Sequence, residues 1–345
     1  MRVLVCSDGV GALSSAEAGR CLAQGWPGGA AAVVPVGEAG AGFVTATADR
    51  LGAPAEPLVV DERVGIRTRR GVLTAVALPG PGVGEGTVPY AGTSLPLGRL
   101  VADVVADTRG TLLVDLVGDD VHDGGAGMLA ALGAVADVDL GLGVAGLTGL
   151  SRLDLTGPHR RLARVDLVGV VPSASTTTPL LGLRGITSAR GRAAGDDPAD
   201  LLGADAALQH LADLAGPGLG ATPGAGACGG TGLAVLALGG RLASGPDLAL
   251  AGVGGPVDLV VTGCSVFDFA HRGGGVVAAA AALAARLLAP CVVVAGEVLI
   301  GAREMRTMGI EAAYAVHDSP VRGEDLVGAE ELAATARRVA RSWRW

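Results

Sequence analysis

The stretch "VDLVVTGCSVFDFAHRGGGVVAAAAALAARLLAPCVVVAGE", residues 257–297, decides the fold class of this chain. It begins and ends with short apolar runs, "VDLVVTG" and "PCVVVAGE", and an alanine-rich helix pattern lies between them. Apolar runs without alternation are typical of strands that are buried on both faces of a parallel sheet. The order of strand, loop, helix and strand therefore predicts a parallel α/β unit.

The same alternation of strands and helices continues along the rest of the chain. The first strand pattern is "RVLVC", and the helix after it has Ser14 or Ser15 as a possible N-cap. In the middle of the chain, "TLLVDLVG" and "ARVDLVGVV" read as buried strands, each followed by a polar or glycine-rich loop. The segments "PLVVDE" and "GVLTAVAL" read as a hairpin-like pair. We therefore expect an α/β protein with mostly parallel sheets.

Length and composition limit the classes of function. A chain of 345 residues suggests about two domains, and its eight aromatic residues require an aliphatic core. All 26 basic residues are arginine, and the net charge is 26 − 34 = −8. An acidic chain with few aromatic rings is not expected to bind nucleic acid. The arginine-rich tail "ATARRVARSWRW" is interpreted as the exposed face of a last helix.

Cysteine usage and hydropathy predict a cytoplasmic, soluble protein without a membrane partner. The five cysteines are odd in number and contain no CxxC pair, which favours free thiols in a reducing compartment. No signal-peptide pattern precedes the first strand. Arg286 and Pro290 interrupt the longest apolar region, so we expect a helix and a strand there and no membrane span.

The loops that follow strands are the candidate binding loops, because ligands of parallel sheets bind at the carboxyl ends of the strands. They are residues 6–15, 36–43, 118–127, 172–185 and 262–275. The last of them follows the apolar run 258–262 and carries Cys264, Ser265, Asp268, His271 and Arg272. We expect Cys264 to be a small packed residue, and a lone loop histidine such as His122 or His271 to be exposed.

Together these loops resemble the signature segments of the bacterial glycerate kinase family. "DGVGALSSA" (8–16) is similar to the family's "DSFKGSLSA", "GEAGAGF" (37–43) to "ADGGEGT", and "DDVHDGGAGM" (119–128) to "SATNDGGAGM". "TPLLGLRGI" (178–186), "PGAGACGGTGLAV" (223–235) and "VTGCSVFDFAHRGGG" (261–275) follow in the family's order. The resemblance implies ATP- and Mg²⁺-dependent phosphoryl transfer to glycerate or a similar small hydroxy acid.

The resemblance also implies a domain layout and a set of site residues. A flavodoxin/Rossmann-like α/β domain is expected at residues 1–80 and 256–345, with a second α/β domain inserted at 81–255. The implied catalytic residues are Asp8, Glu38 and Asp268. The implied substrate- and phosphate-binding residues are Asp123, Gly124, Gly125, Gly127, Arg184, Arg192, His271 and Arg272.

The motif at Asp123 allows two readings from the residues themselves. Bare backbone N–H groups at a helix start can hold an anion, which would make Gly124, Gly125 and Gly127 part of a phosphate site. The same residues can also form an N-cap aspartate followed by a tightly packed glycine turn. The residues alone leave both readings open.

Several charged residues of the family are replaced in this chain. Three family lysines correspond to Gly11, Ala194 and Gly275, and a family glutamate corresponds to Cys264. A GC-rich coding bias would turn lysine into arginine, so it does not explain these changes. One hypothesis is a glycerate kinase with a remodelled site, in which Arg184, Arg192 or Arg272 replaces the lysines.

A second hypothesis is a degenerate family member that binds a small organic anion, a nucleotide or a protein partner without turnover. A third hypothesis, a nicotinamide oxidoreductase, rests on the string "GAGACGG" (224–230). That string does not follow a strand pattern, and no acidic residue closes a compact βαβ unit about 20 residues later. The third hypothesis is therefore the weakest.

Overall fold

The computed structural model describes residues 1–27, 31–40, 42–82, 84, 86–317 and 327–343. Its strands are β1 (Val3–Ser7), β2 (Ala31–Pro35), β3 (Ala55–Val60), β4 (Arg63–Arg70), β5 (Leu73–Ala77), β6 (Gly110–Asp115), β7 (Val135–Ala136), β8 (Leu153–Asp154), β9 (Val165–Val170), β10 (Arg241–Ala243), β11 (Leu259–Phe267), β12 (Cys291–Val298) and β13 (Ala312–Ala315). Its helices are α1 (Ser15–Ala23), α2 (Phe43–Leu51), α3 (Leu95–Val105), α4 (Ala126–Ala131), α5 (Thr156–Leu162), α6 (Ile186–Ala194), α7 (Pro198–Ala215), α8 (Thr231–Ala237), α9 (Gly245–Leu250), α10 (Gly275–Leu287), α11 (Ala302–Thr307) and α12 (Ala329–Ser342). The predicted α/β class is confirmed.

The chain forms two compact units, and both chain ends belong to the first. Unit 1 consists of Met1–Glu38, Thr45–Gly52 and Gly245–Trp345. Its five strands are all parallel and lie in the order β13-β12-β11-β1-β2. Numbered within the unit, this is the order 2-1-3-4-5 of the flavodoxin-like fold, read from the β2 edge.

The core of unit 1 has two layers, one on each face of the sheet, and successive residues of β1 point into them alternately. Val3 and Val5 pack on one face of the sheet with α1 and α12. Leu4 and Cys6 pack on the other face with α10. Because successive side chains of a strand point to opposite faces, a strand covered on both sides must be apolar at every position. This explains the continuous apolar run in "RVLVC".

Unit 2 consists of Ala39–Val44 and Ala53–Ser244. Its main sheet has the order β10-β9-β6-β5-β4-β3. In this sheet, β5, β6, β9 and β10 pair in parallel with their neighbours, whereas β3, β4 and β5 form an antiparallel meander. The predicted pairing of "PLVVDE" with "GVLTAVAL" is therefore wrong, since β4 lies between them. The polar composition of β4, "RVGIRTRR", concealed a strand on the partly exposed side of the sheet.

The predicted domain boundaries differ from these two units. Residues 53–80, expected in the first domain, lie in unit 2, because β5 pairs in parallel with β6, and β3 and β4 extend the same sheet. Residues 245–255 were expected in the inserted domain. They belong to unit 1, where Leu250 of α9 is buried in the α10 layer of the core.

Helix boundaries follow local capping signals. Ser14 caps α1 in a capping box, in which Glu17 N donates to Ser14 Oγ and Ser14 N donates to Glu17 Oε2. Asp197 accepts from Ala199 N at 2.7 Å and caps α7, with Pro198 in its first turn. The arginines of α12 are exposed, as predicted for the tail. Within the described ranges, no helix has both the length and the apolar composition needed to cross a bilayer.

Candidate functional site

The strand order of unit 1 reverses between β1 and β11. Most of the predicted site residues of this unit lie in the loops near this point. Asp8 directly follows β1, and Asp268 directly follows β11. Glu38 comes three residues after the end of β2, the other neighbour of β1. Because the three strands are parallel, their following loops meet at one edge of the sheet. In flavodoxin-like sheets, ligands bind in the crevice outside this edge.

Hydrogen bonds fix the loops that carry these residues. Asp8 N donates to the Gly263 carbonyl at 3.1 Å, which holds the end of β1 against β11. Buried Ser15 donates from Oγ to the Ser7 carbonyl at 2.7 Å and accepts from Val36 N at 2.7 Å. The start of α1 thus ties the carboxyl ends of β1 and β2 together.

Burial and nearby charges shift the pKa of Asp8. Burial raises the pKa of its carboxyl group, and the negative charge of Glu38 raises this pKa further. The hydrogen bond from Gly9 N, at 2.8 Å, and the charge of His271 lower it. Burial is the largest of these effects, so Asp8 holds a proton more readily than an ordinary aspartate. Asp8, Glu38 and His271 therefore lie within electrostatic reach of one another.

Asp268 and His271 share a short 3₁₀ turn, Phe269–Gly273. Asp268 accepts from Ala270 N at 3.0 Å. His271 Nδ1 lies 3.4 Å from Asp268 Oδ1, an ion-pair distance without the alignment of a hydrogen bond. The imidazole packs edge-on against Phe267, with the ring centres 5.6 Å apart. His271 is thus half-buried, and the expectation of a fully exposed loop histidine is wrong.

Arg272 is the cation nearest in sequence to Asp268. Its guanidinium lies 5.4 Å from the ring centre of Phe269, in cation–π geometry. Both side chains are exposed.

Cys264 and Ser265 lie within β11, because this strand continues to Phe267, beyond the predicted end of the run at Thr262. Cys264 is buried, as expected for a packed residue, and burial raises the pKa of its thiol to about 12. A thiol with this pKa is almost entirely protonated at neutral pH. Cys264 is therefore not an activated nucleophile.

Two of the glycines that replace family lysines differ in the space around them. Gly11 has a φ of +59°, and a Cβ atom there would lie 2.8 Å from the backbone nitrogen of Val327. Gly275 has a φ of +84°, and a Cβ atom there would lie 3.8 Å from Glu38 Oε2, an ordinary contact distance. A side chain is thus excluded at Gly11, whereas at Gly275 it would fit beside Glu38 at some backbone strain.

In unit 2, Asp123 is fully buried, and its side chain already accepts hydrogen bonds from the backbone N–H groups that an anion would need. Its carboxylate accepts from Gly125 N at 2.8 Å, from Gly127 N at 3.0 Å and from Ser94 N at 2.7 Å. A Cβ atom at Gly127 would lie 2.4 Å from the backbone nitrogen of Leu95, and one at Gly124 2.8 Å from Leu211. Gly125 and Gly127 therefore do not offer N–H groups to a substrate. The packed glycine turn of the second reading describes the geometry, but the N-cap residue of α4 is Gly125 and not Asp123.

Sequence reasoning missed an ordered polar group beside Asp123. Arg190 of α6 donates to both carboxylate oxygens of Asp120, at 2.6 and 2.7 Å, and this bond is the main cause of the lowered pKa of Asp120. His122 is 2% exposed, and its Nε2 lies 2.9 Å from Thr187 Oγ1 of α6. Burial lowers the pKa of His122 to about 4, so this histidine is neutral at physiological pH. The prediction that His122 is exposed is wrong; only adjacency to the "DGGAGM" motif hinted at its burial.

Arg184 and Arg192 are the two cations of unit 2 that the resemblance implied. Arg184 precedes α6 and Arg192 lies in its last turn, and both side chains are exposed. Neither forms an ion pair or a side-chain hydrogen bond with the described part of the chain. Their guanidinium groups are therefore available to an anion.

Acidic side chains of the described residues do not form a ready-made metal cage. No group of three or more His, Cys, Asp or Glu side chains in these ranges has the spacing to hold a metal ion. Magnesium that enters a site with a nucleotide usually takes only one or two carboxylates, with phosphates and waters as its other ligands. Asp8 or Asp268 would suffice for that mode of binding.

Comparisons with known proteins agree with this architecture. The sequence model of the glycerate kinase family matches residues 3–344. An uncharacterized protein of Mycobacterium bovis is 32% identical, over 99% of this chain and 91% of its own length. A glycerate kinase of Bacillus subtilis is 28% identical, over 99% and 97% of the two chains. A solved structure assigned as glycerate kinase 2 from Salmonella typhimurium LT2 has a TM-score of 0.78 at 25% identity, covering 99% and 98%. The chain belongs to the glycerate kinase family.

Proposed function

We propose that this protein transfers the γ-phosphoryl group of ATP to glycerate or a closely similar small hydroxy acid. The observation that carries the proposal is the placement of Asp8 and Asp268 at the reversal point of the unit 1 sheet, in a chain that matches the family over residues 3–344. This is the edge at which a sheet of this topology binds its ligand.

Asp8 acts as the general base in this proposal. Its carboxylate accepts the proton of the acceptor hydroxyl group while that oxygen bonds to the γ-phosphorus and the bond to the ADP oxygen breaks. Burial raises the pKa of Asp8, which makes it a better proton acceptor than an exposed aspartate. Glu38 and His271 adjust the same pKa in opposite directions.

The cation of unit 1 that would stabilise phosphate charge in this proposal is Arg272. It is exposed, and a guanidinium can contact two phosphate oxygens at once. Magnesium brought by the nucleotide would neutralise phosphate charge, with Asp268 as its protein ligand. Since the family's lysines are replaced by Gly11, Ala194 and Gly275, we expect turnover below that of an ordinary small-molecule kinase, about 10 s⁻¹.

The test is an ADP-release assay on the purified protein with ATP, Mg²⁺ and D-glycerate. Asp8→Asn should lower kcat by about 10²-fold or more, because it removes the general base. Asp213→Asn, at an exposed position on α7, is the matched control and should leave kcat unchanged. A wild-type rate that equals the rate of Asp8→Asn would refute the kinase proposal.

A second candidate function is binding of the same small anions or nucleotides without turnover. The position of Gly11 favours it, because the nearby Val327 backbone leaves no space for the lysine of the family. Thermal shifts with ATP, ADP and glycerate separate the two candidates. Ligand-dependent stabilisation without ADP release supports binding alone, whereas turnover within a hundredfold of about 10 s⁻¹ excludes it.

A further inference from the structure

An arginine-lined hollow lies at the amino edge of the main sheet of unit 2. It has a volume of about 360 Å³ and is lined by Arg109, Arg160, Arg161 and Arg164. The end of α3, the end of α5 and the starts of β6 and β9 form its walls. The loops of the Asp123 region follow the other end of β6. None of the residues that line the hollow is assigned to phosphoryl transfer.

The described residues that line this hollow include four arginines and no carboxylate. Arg160, Arg161 and Arg164 form no ion pair or side-chain hydrogen bond in the described ranges. Arg109 uses one nitrogen, Nη1, to donate to the carbonyls of Ala106 and Thr108. Four arginines thus line one hollow in a chain whose net charge is −8.

The ends of nearby helices explain only part of this arrangement. The carboxyl ends of α3 and α5 carry partial negative charge, and Arg160 and Arg161 lie in the last turn of α5. A helix end contributes at most about half an elementary charge, and a short helix contributes less. Two such ends do not offset four full positive charges. The remaining excess favours an anionic ligand.

The lining identifies the chemistry of that ligand. Guanidinium groups bind phosphate oxygens in pairs, so several of them suit a ligand with more than one phosphate. Ala102, Val105 and Val165 add an apolar wall. The volume lies at the lower end of small-molecule sites, about 300–1,000 Å³. We propose that this hollow binds a small organic polyphosphate, with its phosphates on the arginines and its organic part on the apolar wall.

Calorimetric titration with inorganic tripolyphosphate, in EDTA and low salt, tests the phosphate half of the site. The variant Arg160→Ser/Arg161→Ser/Arg164→Ser should bind at least about tenfold more weakly, because three charge-assisted contacts are lost. The matched control is Arg20→Ser/Arg303→Ser/Arg341→Ser, which changes three exposed arginines of unit 1. Both variants shift the net charge by −3, from −8 to −11. The control should keep wild-type affinity.

A lysine variant provides a second test of the site in case the serine variant does not fold. Arg160→Lys/Arg161→Lys/Arg164→Lys retains the charge but loses the paired donors, so its affinity should lie between those of the wild type and the serine variant. Unchanged binding by the serine variant, or an equal loss in the control, would overturn the proposal. So would a single-stranded oligonucleotide that displaces tripolyphosphate at a lower concentration, since the hollow would then bind a nucleic-acid backbone.

Discussion

At the scale of single residues, Gly275 is the position where one lost charge can be restored. A Cβ atom there would point toward the Glu38 carboxylate without a clash, although the φ of +84° disfavours a side chain by about 1–2 kcal/mol. Gly11 offers no such opportunity, because any side chain would meet the Val327 backbone. A lysine side chain can therefore be restored at residue 275 but not at residue 11.

We predict that Gly275→Lys raises the turnover of the proposed kinase by about tenfold or more, because it adds a cation beside the acidic residues. The measurement is kcat in the ADP-release assay with glycerate. Gly273→Lys is the control, since Gly273 is exposed and a side chain there meets open space. Equal rates for the two variants would show that a cation at residue 275 does not contribute.

His122 makes a prediction about pH and stability. Its pKa falls from 6.5 to about 4 on folding, so the unfolded chain binds more protons between these values. The stabilisation is complete above pH 6.5 and is lost as the pH falls to about 4, with a magnitude on the order of 3 kcal/mol. Urea unfolding across this range should show a steeper decline for the wild type than for His122→Gln, which keeps a donor for Thr187. Parallel curves would contradict the assignment.

At the scale of helices and strands, Asp123 joins the beginnings of α3 and α4. Its carboxylate accepts from Ser94 N and Oγ at the N-cap of α3 and from Gly127 N in the first turn of α4. Ser94 Oγ in turn accepts from Met128 N at 2.9 Å. One buried side chain thus fixes the relative position of two helices and the loop between β6 and α4.

We predict that Asp123→Asn lowers the free energy of unfolding by about 2–4 kcal/mol, since an amide group, itself a donor, replaces one of the two oxygens that accept hydrogen bonds in this buried network. Asp197→Asn, at the exposed cap of α7, should cost less than about 1 kcal/mol because asparagine also caps helices. Urea denaturation without ligand measures both values. A cost below that of Asp197→Asn would mean that Asp123 has little structural role.

The strand β4, one of the elements that the sequence patterns did not predict, shows where a local pattern fails. Its eight residues include Arg63, Arg67, Arg69 and Arg70, and it forms a strand because β3 and β5 supply backbone partners on both sides. Arg63 also bonds to Asp119 and to the Pro79 carbonyl. These partners lie outside the segment itself, so its own composition could not reveal them.

At the scale of the whole molecule, the boundaries between the two units fall at residues that the composition of the chain did not predict. The parallel register of β5 with β6, from Leu73 opposite Thr111, places residues 53–80 in unit 2. We predict that Leu112→Ala, in the core of unit 2, speeds amide exchange in β5 and β6 together while β1 keeps its protection. Hydrogen-exchange mass spectrometry makes the comparison. Val261→Ala in unit 1 should show the reverse, and β5 exchanging with β1 would contradict the division.

The sequence by itself determined the α/β class, the family and the loops that carry the candidate site. Periodic apolar runs and glycine motifs are local signals, and Asp8, Glu38 and Asp268 were found from their positions in such motifs. Only the tertiary structure decided that the buried Asp123 side chain links two helices, that Gly11 has no room for a side chain and that four arginines line a hollow at the amino edge of the unit 2 sheet. These features depend on contacts between residues far apart in sequence, and no local pattern encodes them.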